Sequence, residues 1–225
     1  MGVSIGFHRK INDWILSQGQ EVIFRPFLAD GNPYKSRVFV VGAFPQPKLD
    51  IQPDEQQQYI ESLVDVALFD SLYGEEIQSR ENKGIAAFAQ WLKDACGEVI
   101  VNTNVTTLMA DSAQQLKAIQ KITPQDGEKG FQVFREILEE FQPEIVILHG
   151  ADTLKQFRSQ FEDSLIDYYA HTEKVQELEE IGVFAEMHFH EERKVKILAC
   201  RNLSMYGKSG EKFANFKKHV LQQLT

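Results

Sequence analysis

Arg37-Val38-Phe39-Val40-Val41-Gly42-Ala43-Phe44-Pro45-Gln46-Pro47 is the stretch from which the rest of the chain is read. Four apolar residues follow one another and stop at a glycine, and two prolines come soon after. A run that is apolar on successive residues is buried on both faces, as a central parallel strand is. The prolines cannot continue it, because each removes a ladder donor. In α/β proteins, ligands bind outside the carboxyl ends of such strands. The stretch therefore predicts both a central strand and the edge of a site.

Working outward, four more segments read as strands. Val99-Ile100-Val101 opens into the polar stretch Asn102 to Thr107. Ile145-Val146-Ile147-Leu148 is closed by His149-Gly150. Gly182 to His190 and Lys194 to Cys200 read as a hairpin around Glu191-Glu192-Arg193. Amphipathic helices are expected over Ile5 to Leu16, Gln56 to Leu68, Asn82 to Cys96, Gly130 to Phe141, Asp152 to Phe161 and Glu211 to Leu224. Phe24 to Tyr34 reads as an irregular aromatic lead-in, and the charged segment Asp163 to Glu180 carries no assignable period. Strands alternating with helices imply βαβ units and a parallel sheet covered on both faces. No repeat or flexible linker divides the chain, so residues 1–225 are expected to form one domain, with 1–36 packed on it as a lead-in.

The composition is that of a globular protein, 43% hydrophobic and 25% charged. No apolar run reaches the ~18 residues of a membrane span, and the first ten residues show no signal-peptide pattern. Cys96 and Cys200 are far apart and in no metal or redox spacing, so reduced thiols and a cytoplasmic location are expected. A net charge of −9 argues against coating nucleic acid without regard to sequence. The charge is uneven, however. Arg193, Lys194, Lys196, Arg201, Lys208, Lys212, Lys217 and Lys218 stand against Glu211 alone, a local basic rim toward the carboxyl terminus that suits DNA.

Four predicted strand ends converge: Gly42 to Pro45, Thr103 to Thr106, His149 to Ala151 and Arg201 to Ser204. In this order the chain resembles the uracil-DNA glycosylase superfamily, from about Arg37 onward. Gly42-Ala43-Phe44-Pro45 matches the family's turn after its first strand. Thr103-Asn104-Val105 matches the Asn that reads the base. Pro143 to Gly150 matches the "Pro, apolar run, Gly" strand, and Asn202-Leu203-Ser204 stands in the place of the last motif's His-Pro-Ser. The resemblance implies a three-layer αβα sandwich with a central four-stranded parallel sheet, plus one added antiparallel strand near the carboxyl terminus. It implies an N-glycosidase that releases a damaged or deaminated base from DNA, with no metal or cofactor. It implies a substrate site bordered by Gly42, Ala43, Phe44, Asn104, His149 and Ser204, departure of the base assisted by Asn202, and DNA contacts from Leu203, Tyr206 and Lys208. Phe44 replaces the polar residue that positions water in the family, and Asn202 replaces a histidine.

Each residue also has a structural reading. An amide such as Asn104 presents a donor and an acceptor to a base edge, or ties off its own loop. Phe44 and Phe69 are stacking platforms or core plugs. Leu203, Met205 and Tyr206 form a wedge for the hole a flipped base leaves, or pack inward. Lys208 and Lys212 hold a phosphate or a solvated face. His149 donates to a ligand or is a structural histidine. His188 and His190 share a strand face without further ligands. Asp50, Asp54 and Asp70 are candidate replacement bases. The alternative to an enzyme is an inactive module of the same fold that binds nucleic acid or a protein; a third reading, an α/β enzyme for a small phosphorylated ligand, lacks a Gly-rich phosphate loop. No membrane partner is expected, and a monomer is favoured.

Overall fold

Val38–Gly42 is a strand buried along its whole length, and its neighbours explain why. In the computed structural model, which describes residues 5–189 and 193–224, it lies next to the middle strand of a seven-stranded mixed sheet. In chain order the described elements are α1 (Ile5–Ile15), β1 (Phe27–Ala29), β2 (Val38–Gly42), α2 (Gln56–Ser62), α3 (Val66–Tyr73), α4 (Arg80–Cys96), β3 (Ile100–Asn104), α5 (Ala113–Ile122) and α6 (Pro124–Phe141). They continue with β4 (Ile145–His149), α7 (Ala151–Gln160), β5 (Leu165–Asp167), α8 (Val175–Ile181), β6 (Val183–Phe189), β7 (Arg193–Cys200) and α9 (Ala214–Leu224).

The strands stand in the order β1-β3-β2-β4-β7-β6-β5. The inner four, β3, β2, β4 and β7, pair in parallel. The outer three do not: β1 runs antiparallel to β3, and β6 and β5 continue antiparallel beyond β7. The expectation of a parallel four-stranded sheet with a single added strand is thereby corrected. Two of the extra strands hid in segments that the sequence leaves without a period. Phe27-Leu28-Ala29 lies in the aromatic lead-in just after Pro26, and Leu165-Ile166-Asp167 lies in the charged segment. Three residues are too few to show an alternation. The expected hairpin is present as β6 and β7, while its turn residues 190–192, with His190 and Glu191, lie outside the described residues.

Period-two alternation sends the parallel strands' side chains to two separate cores. Phe39, Val41, Val101, Val146, Leu148, Ile197 and Ala199 face α1, α6 and α7. Phe141 of α6 is the hub there, its ring 5.3 Å from that of Phe27 and 4.9 Å from that of Tyr34. Val38, Val40, Ile100, Ile145, Ile147, Leu198 and Cys200 face α4 and α9 on the other side. Helices thus cover both faces of the sheet.

Local chemistry sets the helix ends that matter for the site. Asp65 caps α3 by accepting from Leu68 N at 2.9 Å, which splits the single helix expected over Gln56 to Leu68. Ser79 caps α4, accepting from Asn82 N at 3.0 Å, and Gly97 ends it with φ 75°, a left-handed position that suits glycine. Among the described residues no helix is long and apolar enough to cross a membrane.

Candidate functional site

The strand register builds one transverse row. Gly42 pairs with Asn104, Val41 with Leu148, and His149 with Cys200. At the carboxyl ends of the parallel strands the order across the sheet is therefore Asn104, Gly42, His149, Cys200. Counting back by twos, Gly42 shares its face with Val38 and Val40, and His149 shares its face with Ile145 and Ile147. The row belongs to the face that α4 covers. Asn102 and Asn104 continue the face that Ile100 begins. They lie within β3, which runs on through the polar residues where the sequence reading ends its strand at Val101.

Gly42 keeps the row open. A Cβ there would lie 2.7 Å from Asn104 Oδ1 and 3.2 Å from His149 Nε2. The two polar side chains thus flank a notch that only a glycine leaves. Asn104 is 8% exposed, and its amide has no hydrogen-bond partner among the described residues. His149 is 1% exposed, with neither ring nitrogen partnered. Buried polar groups are nearly always satisfied, and each orphan costs about 1–3 kcal/mol. A buried, unpartnered imidazole beside an unbonded amide that borders a pocket marks a site that fits a polar ligand.

Glu81, in the first turn of α4, joins this row from above. It accepts from Asn202 Nδ2 at 2.7 Å, and Asn202 Oδ1 in turn accepts from Ser204 N at 2.8 Å. Asn202 thereby caps the short helical turn Leu203–Met205 and sits beside Gly150. Burial holds the His149 imidazole below its ordinary pKa, against an upward pull from the Glu81 charge. The ring is neutral near pH 7, with one N–H to give. Burial also pushes the Cys200 thiol well up, so no thiolate nucleophile stands at the end of the row.

The depressed His149 pKa has a measurable consequence. In the unfolded chain this ring gains its proton near the ordinary value of about 6.5; in the folded protein it does so only at lower pH. Between those values the unfolded state holds more protons, so stability is lost as pH falls through that window, by up to about 1.4 kcal/mol per pH unit. Denaturant melts between about pH 7 and pH 5 are expected to show this acid limb, and His149→Gln is expected to flatten it. An equally steep limb in the variant would remove His149 as its source.

Beyond Asn104 the row opens into a pocket of about 140 Å³ between the β1–β3 edge, α3 and α4. Phe69, Ile85, Asn82, Asn102, Asn104 and Arg25 are among its walls. Phe69 is fully buried there, with the Arg25 guanidinium 5.8 Å from its ring centre. The chain before β1 is pinned by three bonds that hold Arg25 in place. Arg25 N donates to Thr107 O at 2.9 Å, Tyr59 Oη to Phe24 O at 3.1 Å, and Thr103 Oγ1 to Pro26 O at 2.6 Å.

The chain matches no protein-family model and no curated protein. The chemistry of the row and its pocket must carry the functional reading.

The sequence-derived candidates divide on this geometry. Gly42, Asn104, His149 and Asn202 come together. Ala43 is half-buried beside Gly42, its carbonyl accepting from Thr106 N at 3.2 Å. Phe44 turns away and packs on a satellite cluster of Phe24, Leu108, Ala110 and Leu116. Ser204 and Lys208 are exposed, as is Met205, whereas Leu203 and Tyr206 are buried under α4 and α9. Tyr206 packs edge-on to Phe88, and burial pushes its hydroxyl up to about 12. Asp50, Asp54 and Asp70 are all exposed and outside the pocket lining. His188 lies 4.0 Å from Glu186, and among the described residues no three metal-ligating side chains converge.

The basic rim is thinner than its residue count suggests. Glu179, 2% exposed, holds Arg201 through its backbone N–H at 2.7 Å and its guanidinium at 2.6 Å. Lys194 pairs with Glu186 at 3.2 Å, and Lys217 lies 5.0 Å from both the Trp91 and Tyr206 rings. Lys208, Lys212 and Lys218 remain exposed and without an ionic partner among the described residues.

Glu81 and Arg25 were missed from sequence. Glu81 reads as one more acid at a helix start, where acids are common. Arg25 is one cation in an aromatic, aperiodic stretch. The faint signal for Arg25 is its setting, Phe24-Arg25-Pro26-Phe27, a charge flanked by large apolar residues.

Proposed function

We propose that the chain is a divergent member of the uracil-DNA glycosylase superfamily that releases a single base from DNA by hydrolysis of its N-glycosidic bond. The observation that carries this reading is the unpartnered, nine-tenths buried Asn104 amide facing a pocket of about 140 Å³. That volume is close to the ~150 Å³ cavity that accepts one benzene ring. It suits one flat heterocycle and excludes a dinucleotide. The parallel order β3-β2-β4-β7 with helices on both faces supports the family reading.

On this reading a flipped base enters beside the aromatic wall of Phe69, and Asn104 gives and receives hydrogen bonds along the base edge. As the C1′–N bond breaks, its electron pair stays with the base. The neutral His149 N–H donates to the oxygen where that charge gathers. The Glu81 carboxylate steadies the positive sugar and takes a proton from the water that adds to C1′. The proton taken by Glu81 passes through solvent to the base anion, so the base leaves neutral and the carboxylate is restored.

The test is release of uracil, hypoxanthine or xanthine from single- and double-stranded DNA carrying that base. Abasic product is expected from the wild type. Loss of the Asn104 hydrogen bond in Asn104→Ala is expected to cut kcat/KM about tenfold. No product from any of these substrates would defeat the enzymatic reading. The second reading, a non-catalytic module, is favoured by one observation: the Asn202 amide is engaged on both sides, by Glu81 and by Ser204 N. Its mark would be DNA binding that weakens steeply with salt and yields no abasic product.

A further inference from the structure

Arg25 is nine-tenths buried and lines the pocket that Asn104 opens into. A guanidinium carries five N–H donors and keeps its charge in proteins. Here one contact is made, from Nη2 to the Gln46 carbonyl at 3.3 Å, and no ion pair is formed among the described residues. The Phe69 face adds a partial cation–π contact at 5.8 Å. The one acid among the described lining residues is Asp30, which is exposed and paired to Lys93 at 3.4 Å at the rim. A buried charge is costly unless paired and hydrogen-bonded. The buried guanidinium thus lacks a counter-charge, and the space it faces has room for one ring.

We propose that the ligand of this pocket carries a carboxylate on its ring, which Arg25 receives while Asn104 meets the ring's amide edge. The identity of the ring rests on the base-excision reading above; with it, the substrate is a pyrimidine bearing a carboxylated ring carbon. Asn102, on the same face of β3 as Asn104, also lines the pocket and has amide N–H groups available to the same anion. A charge-assisted, forked hydrogen bond gives this arrangement its selectivity, since a neutral ring leaves the guanidinium unpaired.

Calorimetric titration of the full chain with free 5-carboxyuracil, uracil and benzoate tests the assignment. 5-Carboxyuracil is expected to bind roughly 10- to 100-fold tighter than uracil. Arg25→Gln is expected to abolish that gap and Arg25→Lys to keep part of it. Asn102→Asp, which adds a negative charge to the same wall, is expected to weaken 5-carboxyuracil more than uracil, and it decides the matter if Arg25→Gln does not fold. Equal binding of the two pyrimidines, a gap that survives in folded Arg25→Gln, or no binding of any probe would overturn the proposal. Benzoate binding as tightly as 5-carboxyuracil would uphold Arg25 as the carboxylate receiver and remove the nucleobase reading, so the two failures are told apart.

Discussion

Gly42→Ala is expected to lower base release about 100-fold while the fold survives. The added methyl would stand 2.7 Å from Asn104 Oδ1 and 3.2 Å from His149 Nε2. Both are too close for van der Waals contact, and both belong to side chains that can rotate or shift. The backbone need not move, so the cost in stability is small. The cost in function is not, because displacing a positioning group by about 1 Å can lose about 100-fold in rate. The single methyl displaces two such groups at once, a larger effect than truncating Asn104 alone. The experiment is kcat/KM on a base-containing DNA beside a thermal melt. An active variant, or one that loses activity only by unfolding, would show that the notch is not the site.

Gly84→Ala is expected to do the opposite, destabilising the protein by about 3 kcal/mol with no direct effect on the row. Gly84 lies inside α4, where replacing glycine by alanine would ordinarily gain up to about 1 kcal/mol. Here a Cβ would overlap the Leu203 carbonyl oxygen and lie 2.6 Å from its carbon. The obstacle is backbone, at the buried Leu203 that opens the short turn Leu203–Met205, and Asn202 and Tyr206 anchor that turn on either side. The helix or the loop must shift, and overpacking of this kind outweighs the gain in propensity. For a chain of this length about 3 kcal/mol corresponds to a fall in Tm of roughly 6–12 °C. A melt unchanged or raised would mean that α4 and the loop slide apart freely. The two glycines lie on the same face of the sheet, yet one guards a space and the other a contact.

Much of the fold was legible, for a physical reason. β2 and β4 are buried on both sides, so their sequences are apolar throughout and stand out from their surroundings. α6 was visible from Gly130 to Phe141, but its first turns carry Gly127 and no apolar stripe and hid the start at Pro124. Gly130 is small because a Cβ would press on Thr106 Oγ1. α5 was not seen. Leu116, Ile119 and Ile122 recur at three-residue spacing, but Leu116 is its one buried residue and Ile122 is 79% exposed, so little of that stripe is used by the core. β3 looked short because its second half is polar, and it is polar because Asn102 and Asn104 face the pocket. The site was readable where it coincides with strand ends, at Gly42, Asn104 and His149. It was unreadable where side chains arrive from elsewhere: Glu81 from a helix start and Arg25 from an irregular segment are brought in by tertiary packing alone.

The transverse row has one more consequence, for how such a gene can change length. Side chains in a strand alternate with period two, so a one-residue slip sends every one of them to the opposite face. Gly42, Asn104 and His149 sit on three different strands but at one level of the register. A single codon inserted between Val38 and Val41 would carry Val41 into the place of Gly42 and plug the space between the asparagine and the histidine. Loops such as 45–55 or 168–174 can grow or shrink without touching that alignment. Insertions and deletions should therefore be tolerated between the elements and eliminated within β2, β3 and β4, even at residues that contact no ligand.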